Sequence, residues 1–393
     1  MKYEYLSTDQ AVREFCQEIA GAPFIAFDTE FVSEDRYYPE LCLVQVAARE
    51  QLAVLDPLAA PDLTPFWQLL ASPGHTTIVH AGREEFRFCR RAIGARPAEL
   101  FDTQVASGFV GLDYPAAYGT LLQRVLGQSL KKGETRTNWR HRPLSKRQLE
   151  YAVQDVVYLE PLYQRLIDRL DQLGRRHWLR DELAVWQDHL EREETTERWR
   201  RVSGISGLSR RQLAILRELW RWRDAQARSR DVPPRRVLRD DLMLEVARRA
   251  SDDERLIRAV RGMDWRKLQR SIPDLAACVS RGLALPDEQM PHSGPKVARP
   301  QYTLLGQFLA TAVHNMARAA NMAPGLVGSV EDVRDLIAYH LGHGGQEVPI
   351  LAQGWRSEVV GQVVSRLLDG ELAVRIRDPN SQEPLSFEPA GRV

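Results

Sequence analysis

Two carboxylates two residues apart, Asp28 and Glu30, end the apolar run Phe24-Ile25-Ala26-Phe27, and a tyrosine and an aspartate four apart, Tyr151 and Asp155, lie far downstream. A short apolar run bounded by Gly21 and a charged loop reads as a buried strand, whose alternation puts Asp28 and Glu30 on one face. Ser145 and Gln148 read as a capping box that opens a helix with Leu149, Val153 and Val156 at helical spacing, so Tyr151 and Asp155 share one helix face. Gathered carboxylates raise one another's pKa unless cations lie between them, and hard oxygen ligands of this kind suit Mg²⁺ or Mn²⁺. Such a cage is what metal-assisted phosphodiester hydrolysis uses. Taken singly, the two pairs describe an ordinary strand-end turn and an ordinary polar helix face. The chemistry depends on their converging.

The elements that must bring them together are legible in outline. Strand-like runs at Phe24 to Phe27, Leu41 to Ala47, Leu52 to Leu55 and Thr77 to Val79 alternate with helical stretches around Phe86, Thr103 and Leu121. The pattern is that of an α/β layer, and strands so close in sequence suggest an antiparallel start to a mixed sheet. Asp102 stands where an N-cap for the helix at Thr103 is expected.

Order and flanking sequence add a resemblance. Phe27-Asp28-Thr29-Glu30-Phe31 is followed by Tyr37-Tyr38-Pro39-Glu40-Leu41-Cys42-Leu43-Val44-Gln45, then by Val79-His80-Ala81-Gly82-Arg83-Glu84-Glu85. Thr135-Arg136-Thr137-Asn138-Trp139 and Arg142-Pro143-Leu144 then lead to Tyr151 and Asp155. Each motif is short, but the ordered set resembles the ribonuclease D family, tyrosine-type members of the DEDD exonuclease superfamily, over almost the whole chain. The resemblance implies an α/β nuclease domain with a ribonuclease H-like mixed sheet flanked by helices, followed by two all-α HRDC-like domains. It implies a metal-dependent 3'-to-5' exoribonuclease that trims single-stranded RNA 3' ends, tRNA precursors being the family's usual substrate, and releases nucleoside 5'-monophosphates. It also implies two divalent ions, Mg²⁺ or Mn²⁺: Asp28, Glu30 and Asp155 hold the first, Asp28 bridges to the second, and Glu85 completes the second. Tyr151 positions the attacking water, because a tyrosine with a pKa of about 10 is a poor base at neutral pH.

Position 85 departs from the family pattern, which has aspartate there. The extra methylene of Glu85 moves its carboxylate outward, and metal sites are sensitive to ligand placement. Three readings stay open: Glu85 serves through a water or a shifted rotamer; the site is impaired and the chain is an RNA-binding protein; or Glu85 is a surface helix residue as ordinary as Glu84. The catalytic motifs by themselves also leave a related 3'-to-5' DNA exonuclease open, since DNA and RNA share the phosphodiester.

Total charge does not select a substrate: 54 Lys plus Arg stand against 53 Asp plus Glu. Distribution does. Lys131, Lys132, Arg136, Arg140, Arg142, Lys146 and Arg147 accompany only Glu134 in the segment before the Tyr151 helix, and are the candidate contacts to a phosphate backbone. A second basic zone, Ser209 to Leu285, has 19 Lys plus Arg against 11 Asp plus Glu. It reads as helical from Gln212, and Arg221-Trp222-Arg223-Asp224 resembles the first helix of an HRDC domain, a helical nucleic-acid-binding module.

The expected organisation is a 3'-5' exonuclease domain at 1–172, a helical linker at 173–208, an HRDC domain at 209–289, a proline-rich linker at 290–300 and an HRDC-like helical domain at 301–393. Gly354-Trp355-Arg356 is similar to a segment of the family's last domain, although Trp355 also suits a plain core role. Cysteines 16, 42, 89 and 278 form no Cys-x-x-Cys pair, which supports neither a zinc ribbon nor a disulfide framework and fits a reducing cytoplasm. No leader or membrane-spanning run is read in the sequence, and no obligatory protein partner is suggested.

Overall fold

The computed structural model describes residues 2–130, 137–263, 266–292, 300–343 and 347–391. Lys131, Lys132 and Arg136 thus lie outside the described residues, as does much of the proline-rich stretch. The chain divides into two compact units: Met1–Glu30, Leu41–Leu190 and Ala298–Val393 form one, Phe31–Glu40 and Glu191–Val297 the other.

The first unit is built on a mixed sheet of strands β1 (Glu4–Leu6), β2 (Phe24–Val32), β3 (Glu40–Ala48), β4 (Gln51–Leu55), β5 (Thr76–Val79) and β6 (Leu100–Asp102), in the order β1-β4-β3-β2-β5-β6. β3 and β4 pair antiparallel, while β1 with β4, β2 with β5 and β5 with β6 pair parallel. Around the sheet pack α1 (Asp9–Ile19), α2 (Thr64–Ala71), α3 (Arg83–Ile93), α4 (Thr103–Phe109), α5 (Tyr118–Leu126), α6 (Lys146–Val157), α7 (Leu159–Gln172) and α8 (Arg176–Thr195). Strand alternation decides what each side of β2 meets. Phe27 packs edge-on against Phe66 and Trp67 of α2, at centroid distances of 5.7 and 6.1 Å. Phe24, on the other parity, meets Tyr163 of α7 at 5.0 Å. Asp28 and Glu30 share the parity of Phe24 and so project on the α7 side; Thr29 shares that of Phe27.

The segment after the proline-rich stretch holds the expected helices, at Pro300–Ala319, Val330–His340 and Gly354–Leu368, the last passing through a π-helical turn at Ser357–Gly361. Its expected all-α character does not extend to the end. Leu372–Ile376 pairs antiparallel with Leu385–Pro389, a hairpin in which Asn315 clasps Leu385 through both its amide nitrogen and its oxygen. One apolar core runs from Phe109, Leu162 and Leu166 to Val313, Leu336, Trp355 and Val364, so this segment shares its unit with the nuclease sheet. Trp355 is core in fact: it sits edge-on to Phe109 at 4.9 Å and donates its indole N–H to Glu182 Oε2 at 3.0 Å. The Arg356 guanidinium holds the same Glu182 carboxylate at 2.6 and 2.8 Å, which satisfies a pair almost withdrawn from water.

In the second unit, α9 (Arg210–Ser229) starts at a Ser209–Gln212 capping box and packs Leu213, Leu216 and Leu219 against Met243, Val246, Leu275 and Val279 of the helices Asp240–Arg249 and Ile272–Ala284. Arg223, counted among the basic residues of this zone, is buried and bonded to Asp240 at 2.5 Å and to the Leu238 carbonyl. Residues 31–40 belong here because Tyr37 donates its hydroxyl to Asp224 at 2.7 Å and Arg36 pairs with Asp231 at 2.8 Å. Among the described residues, no helix is long and apolar enough to cross a membrane.

Candidate active site

Three elements of the first unit bring the sequence candidates together. β2 carries Asp28 and Glu30, both half-buried, on one face. α6 opens at the Ser145 hydroxyl, which accepts from the Gln148 amide at 3.2 Å, while the Gln148 side chain accepts from the Ser145 amide at 2.8 Å. That start fixes the helix phase: Ala152, Val153 and Val156 turn into the core, and Tyr151 and Asp155 stand together on the adjoining, half-buried face. Trp139 lies in stacked orientation beside Tyr151, centroids 6.3 Å apart, and limits where that ring can go. Tyr151 keeps its proton firmly: burial first, then Asp155, Glu30 and Asp28, push its pKa above the ordinary tyrosine value.

The third element is the tight passage from β5 into α3. Ala81 takes a left-handed φ of 54°, and Gly82 follows where a Cβ would lie 2.4 Å from Val79 Cγ2. Asp102 holds this turn. Its carboxylate accepts from the Ala81 and Gly82 amides at 3.1 and 2.9 Å and from Gln104 and Val105 at 2.8 and 3.4 Å, so the expected helix cap is also the anchor of the preceding motif. His80 links Thr103 Oγ1, at 2.9 Å, to the Ala116 carbonyl, at 3.1 Å. Glu84 and Glu85 then fall in the first turn of α3, where the helix dipole favours acids.

These two neighbours differ sharply. Glu84 pairs with Arg87 at 2.5 Å and with Arg91 at 3.5 Å, as a helix surface residue does. Glu85 is 5% exposed, which removes the reading of it as a surface residue. Its Oε1 accepts from the Thr29 hydroxyl at 2.5 Å. Thr29 lies between Asp28 and Glu30 on β2, so this bond holds Glu85 against the strand that carries both acids.

Electrostatics tie the acids together. Burial, then the charges of Glu85, Asp155 and Glu30, raise the Asp28 carboxyl well above the usual range. Glu30 is pushed up to about 8 by burial, Asp155 and Glu85. Burial also lifts Asp155 and Glu85, the Thr29 hydrogen bond opposing the rise at Glu85. A divalent cation would reverse these shifts, and the donors are the hard oxygens that Mg²⁺ or Mn²⁺ prefers, so in charge and chemistry the set fits such an ion. Among the described residues, no three His, Cys, Asp or Glu side chains are already drawn close enough to hold one.

The basic candidates scatter. Arg142 does not face outward: it binds Asp56 through Nε at 2.6 Å and Nη2 at 2.7 Å, and its remaining donors reach the carbonyls of Cys42, Trp139 and His141. Its guanidinium is saturated by structural partners, which takes it out of the phosphate-contact set. Lys146 and Arg147 lie on the first turn of α6 and are exposed, Lys146 within 3.8 Å of Glu150; Arg140 is half-buried. Tyr118, which no motif marks, has its hydroxyl held above the usual tyrosine range, by burial first and then by the charges of Asp155 and Asp28.

Comparison with known proteins follows the same outline. The 3'-5' exonuclease family pattern matches residues 3–171 and the HRDC domain pattern residues 212–279. Ribonuclease D of Acidiphilium cryptum is 35% identical over 380 residues, covering 95% of this chain and 94% of the relative. Ribonuclease D of Escherichia coli K12 is 30% identical over 373 residues, covering 94% and 99%. The crystal structure of Escherichia coli RNase D, described as an exoribonuclease involved in structured RNA processing, superposes with a TM-score of 0.84 at 30% identity over 94% of this chain and 99% of that one.

Proposed function

The chain belongs to the ribonuclease D family and is a 3'-5' exoribonuclease, and from that premise we propose that Asp28, Glu30, Tyr151 and Asp155 are its catalytic centre, acting on single-stranded RNA 3' ends such as those of tRNA precursors. The observation that carries the assignment is that β2 presents Asp28 and Glu30, and α6 presents Tyr151 and Asp155, on half-buried faces, with burial and the charges of Asp155 and Glu85 raising the pKa of both Asp28 and Glu30. Asp28, Glu30 and Asp155 would hold a pair of divalent ions, Mg²⁺ or Mn²⁺, with Glu85 contributing through a water or after release from Thr29. When bound, such ions supply charge stabilisation and water activation for phosphodiester cleavage.

What the chain's own residues do follows from their placement. Tyr151, held protonated by its surroundings and braced by Trp139, donates its hydroxyl to orient the attacking water instead of removing a proton. Exposed Lys146 and Arg147 on the same helix meet the phosphate backbone behind the scissile link, and the arginine-rich helices of the HRDC region supply further RNA contacts. The product is a nucleoside 5'-monophosphate.

A 5'-labelled RNA with a free 3' end, incubated with Mn²⁺ or Mg²⁺, tests this reading. Stepwise shortening is expected, abolished by Asp28→Ala and by a 3'-phosphate on the RNA. Tight binding without products would mean an RNA-binding protein with a disabled centre, and preferential shortening of single-stranded DNA would move the substrate assignment.

A further inference from the structure

In the second unit, the turn between α9 and the helix Asp240–Arg249 lines a cavity of about 500 Å³. Arg230, Arg235, Arg236 and Arg239 stand around it and no acid does, while Val232, Leu242 and Leu268 add apolar surface. The turn is pinned at both ends. Asp231 takes a left-handed φ of 47°, and its carboxylate accepts from Arg36 at 2.8 Å and from the Tyr37 amide at 3.1 Å. Pro233 and Pro234 restrict the backbone that follows. At the far end, buried Arg223 donates to the Leu238 carbonyl at 3.1 Å and to Asp240 at 2.5 Å. Gly262, at a φ of 97°, also lines the cavity: a Cβ there would lie 3.2 Å from Leu242 Cδ2 and 3.7 Å from Arg239 Nη2, so the missing side chain leaves room.

Four like charges around one space repel, and the chain compensates them unevenly. Arg239 is held by both Asp241 oxygens, at 3.1 and 2.7 Å. Arg235, whose side chain is 81% exposed, reaches Asp240 only at 3.7 Å and shares that carboxylate with Arg223. Arg230 donates to a neutral oxygen, Gln226 Oε1, at 2.5 Å. Neither Arg230 nor Arg236 pairs with a carboxylate of the described residues, although both are exposed and able to turn toward one. Arg142, by contrast, has its donors taken up by the chain. The cavity pair keeps donors for an anion from outside. A guanidinium fork matches phosphate oxygens in geometry, and apolar surface beside it suits the sugar and base that accompany a nucleotide phosphate.

We propose that this cavity is a phosphate subsite for the RNA strand, in which Arg230 and Arg236 hold one phosphodiester group and the apolar residues receive part of the attached nucleotide. The assignment rests on RNA being the substrate, and it selects among the cations of the unit. Of the 19 Lys plus Arg between Ser209 and Leu285, Arg223 serves the fold and Arg239 is tied to Asp241, so a count of charge overstates what is available to a ligand. A grip on the backbone carries no base preference, which suits an enzyme whose strand presents a different sequence at each shortening. A free nucleoside 5'-monophosphate or inorganic phosphate offers the same anionic chemistry, and the test separates these sources.

The test is equilibrium binding of a single-stranded RNA blocked by a 3'-phosphate to the full chain without divalent ions. Fluorescence anisotropy across a salt series compares the parent with Arg230→Gln/Arg236→Gln, with Arg230→Lys/Arg236→Lys, and with Arg13→Gln, a surface arginine of the first unit. The glutamine pair is expected to weaken RNA binding several-fold and to lower the slope of log affinity against log salt by about 0.7, the release belonging to one single-strand phosphate contact. Its melting curve is expected to match the parent's, because both side chains are exposed. The lysine pair should keep the slope and still lose affinity, since an ammonium lacks the fork. Unchanged affinity and slope in the glutamine pair overturn the proposal. So does a lysine pair that binds as the parent does, or an equal loss in Arg13→Gln, either of which would mean a diffuse positive field. Calorimetry with 5'-AMP and with inorganic phosphate covers the other sources: binding of either that disappears in the glutamine pair, beside unaltered RNA affinity, overturns the RNA assignment in favour of a free ligand. Shortening of unblocked RNA by the parent with Mn²⁺ is measured in parallel. If the parent shortens RNA and the glutamine pair binds it as tightly as the parent, the cavity assignment alone fails; if the parent leaves the RNA intact, the catalytic reading fails whatever the cavity holds.

Discussion

The same sheet treats its acids in two opposite ways. Asp56, just past β4, is 1% exposed and surrounded by donors: Arg142 through two nitrogens, the Tyr5 hydroxyl and the Leu58 amide. Asp102, ending β6, accepts from four backbone amides. Asp28 and Glu30, on β2, face further acids. At Asp56 burial would raise the carboxyl, but the hydrogen bonds from Arg142 and Tyr5 outweigh it and the pKa falls; at Glu30 the same burial, reinforced by Asp155 and Glu85, drives it up to about 8. Burial is common to both, so it does not separate a structural acid from a functional one. The donors do. A carboxylate surrounded by donors from the chain ties the fold together, whereas one raised chiefly by burial and by neighbouring carboxylates, as Asp28 is despite a hydrogen bond from the Thr29 backbone, is poised for a cation.

The largest contrast should come from neutralising one acid of each kind. Asp28→Asn is expected to lower kcat by roughly 10³-fold or more while raising the melting temperature, because it removes repulsion that folding must otherwise overcome. A drop in both activity and stability would place Asp28 with Asp56 as a structural acid. Arg142→Ala should do the reverse: a loss of about 3 kcal/mol in unfolding free energy, read from denaturant titration, with the salt dependence of RNA binding unchanged. The Asp56–Arg142 pair also carries a pH signature. Since the folded-state pKa of Asp56 is depressed, its contribution is fully present above the unfolded value of about 3.9 and disappears as pH falls through the lower folded value. Acid unfolding of the parent should therefore be steeper below pH ~4 than that of Arg142→Ala, and coincident curves would disprove the coupling.

Why Asp28, Glu30, Tyr151 and Asp155 were legible in the sequence, and Tyr118, Thr29 and the Arg142 clamp were not, follows from the same contrast. Periodicity tells which residues share a face, and a capping box fixes where a helix begins; together these suffice for pairs two or four apart. Periodicity is silent on what that face meets. Arg142 looked like a phosphate contact because its partner Asp56 lies 86 residues away, and a count of charges cannot register such a pairing. The Thr29–Glu85 bond spans 56 residues and has no local signature either. β1 and β6, three residues each, are too short to show alternation. The closing hairpin leaves little trace either: Leu372 to Ile376 holds Val374 and Ile376, but five residues directly after a long helical run are too few for alternation to stand out.

Position 85 tests whether an acid can be moved from one class toward the other. Thr29 gives Glu85 a donor from the chain, so at present it behaves partly like Asp56. Glu85→Asp shortens the side chain by one methylene, which withdraws it from Thr29 and frees it toward Asp28 and Glu30. The expected result is a several-fold gain in kcat at limiting Mn²⁺, about 1 kcal/mol for a fivefold change, with a small loss of thermal stability from the broken bond. Lower activity would show instead that the centre has adapted to the longer residue, and no change would separate position 85 from the chemistry.

The smallest effect concerns cations, and it asks whether the donor rule applies to them too. Arg142 is saturated, whereas the Lys146 side chain is 86% exposed and touches Glu150 only at 3.8 Å, an i,i+4 contact that contributes about 0.3–0.5 kcal/mol at a surface. Lys146→Ala should therefore leave unfolding free energy within about 0.5 kcal/mol of the parent. If the ammonium meets a phosphate of single-stranded RNA, the slope of log affinity against log salt should shrink by about 0.7, the counterion release belonging to one such contact. The corresponding slope for Arg142→Ala should not move. Equal slopes for the parent and Lys146→Ala would leave α6 as the carrier of Tyr151 and Asp155 alone, with the backbone of the RNA held elsewhere.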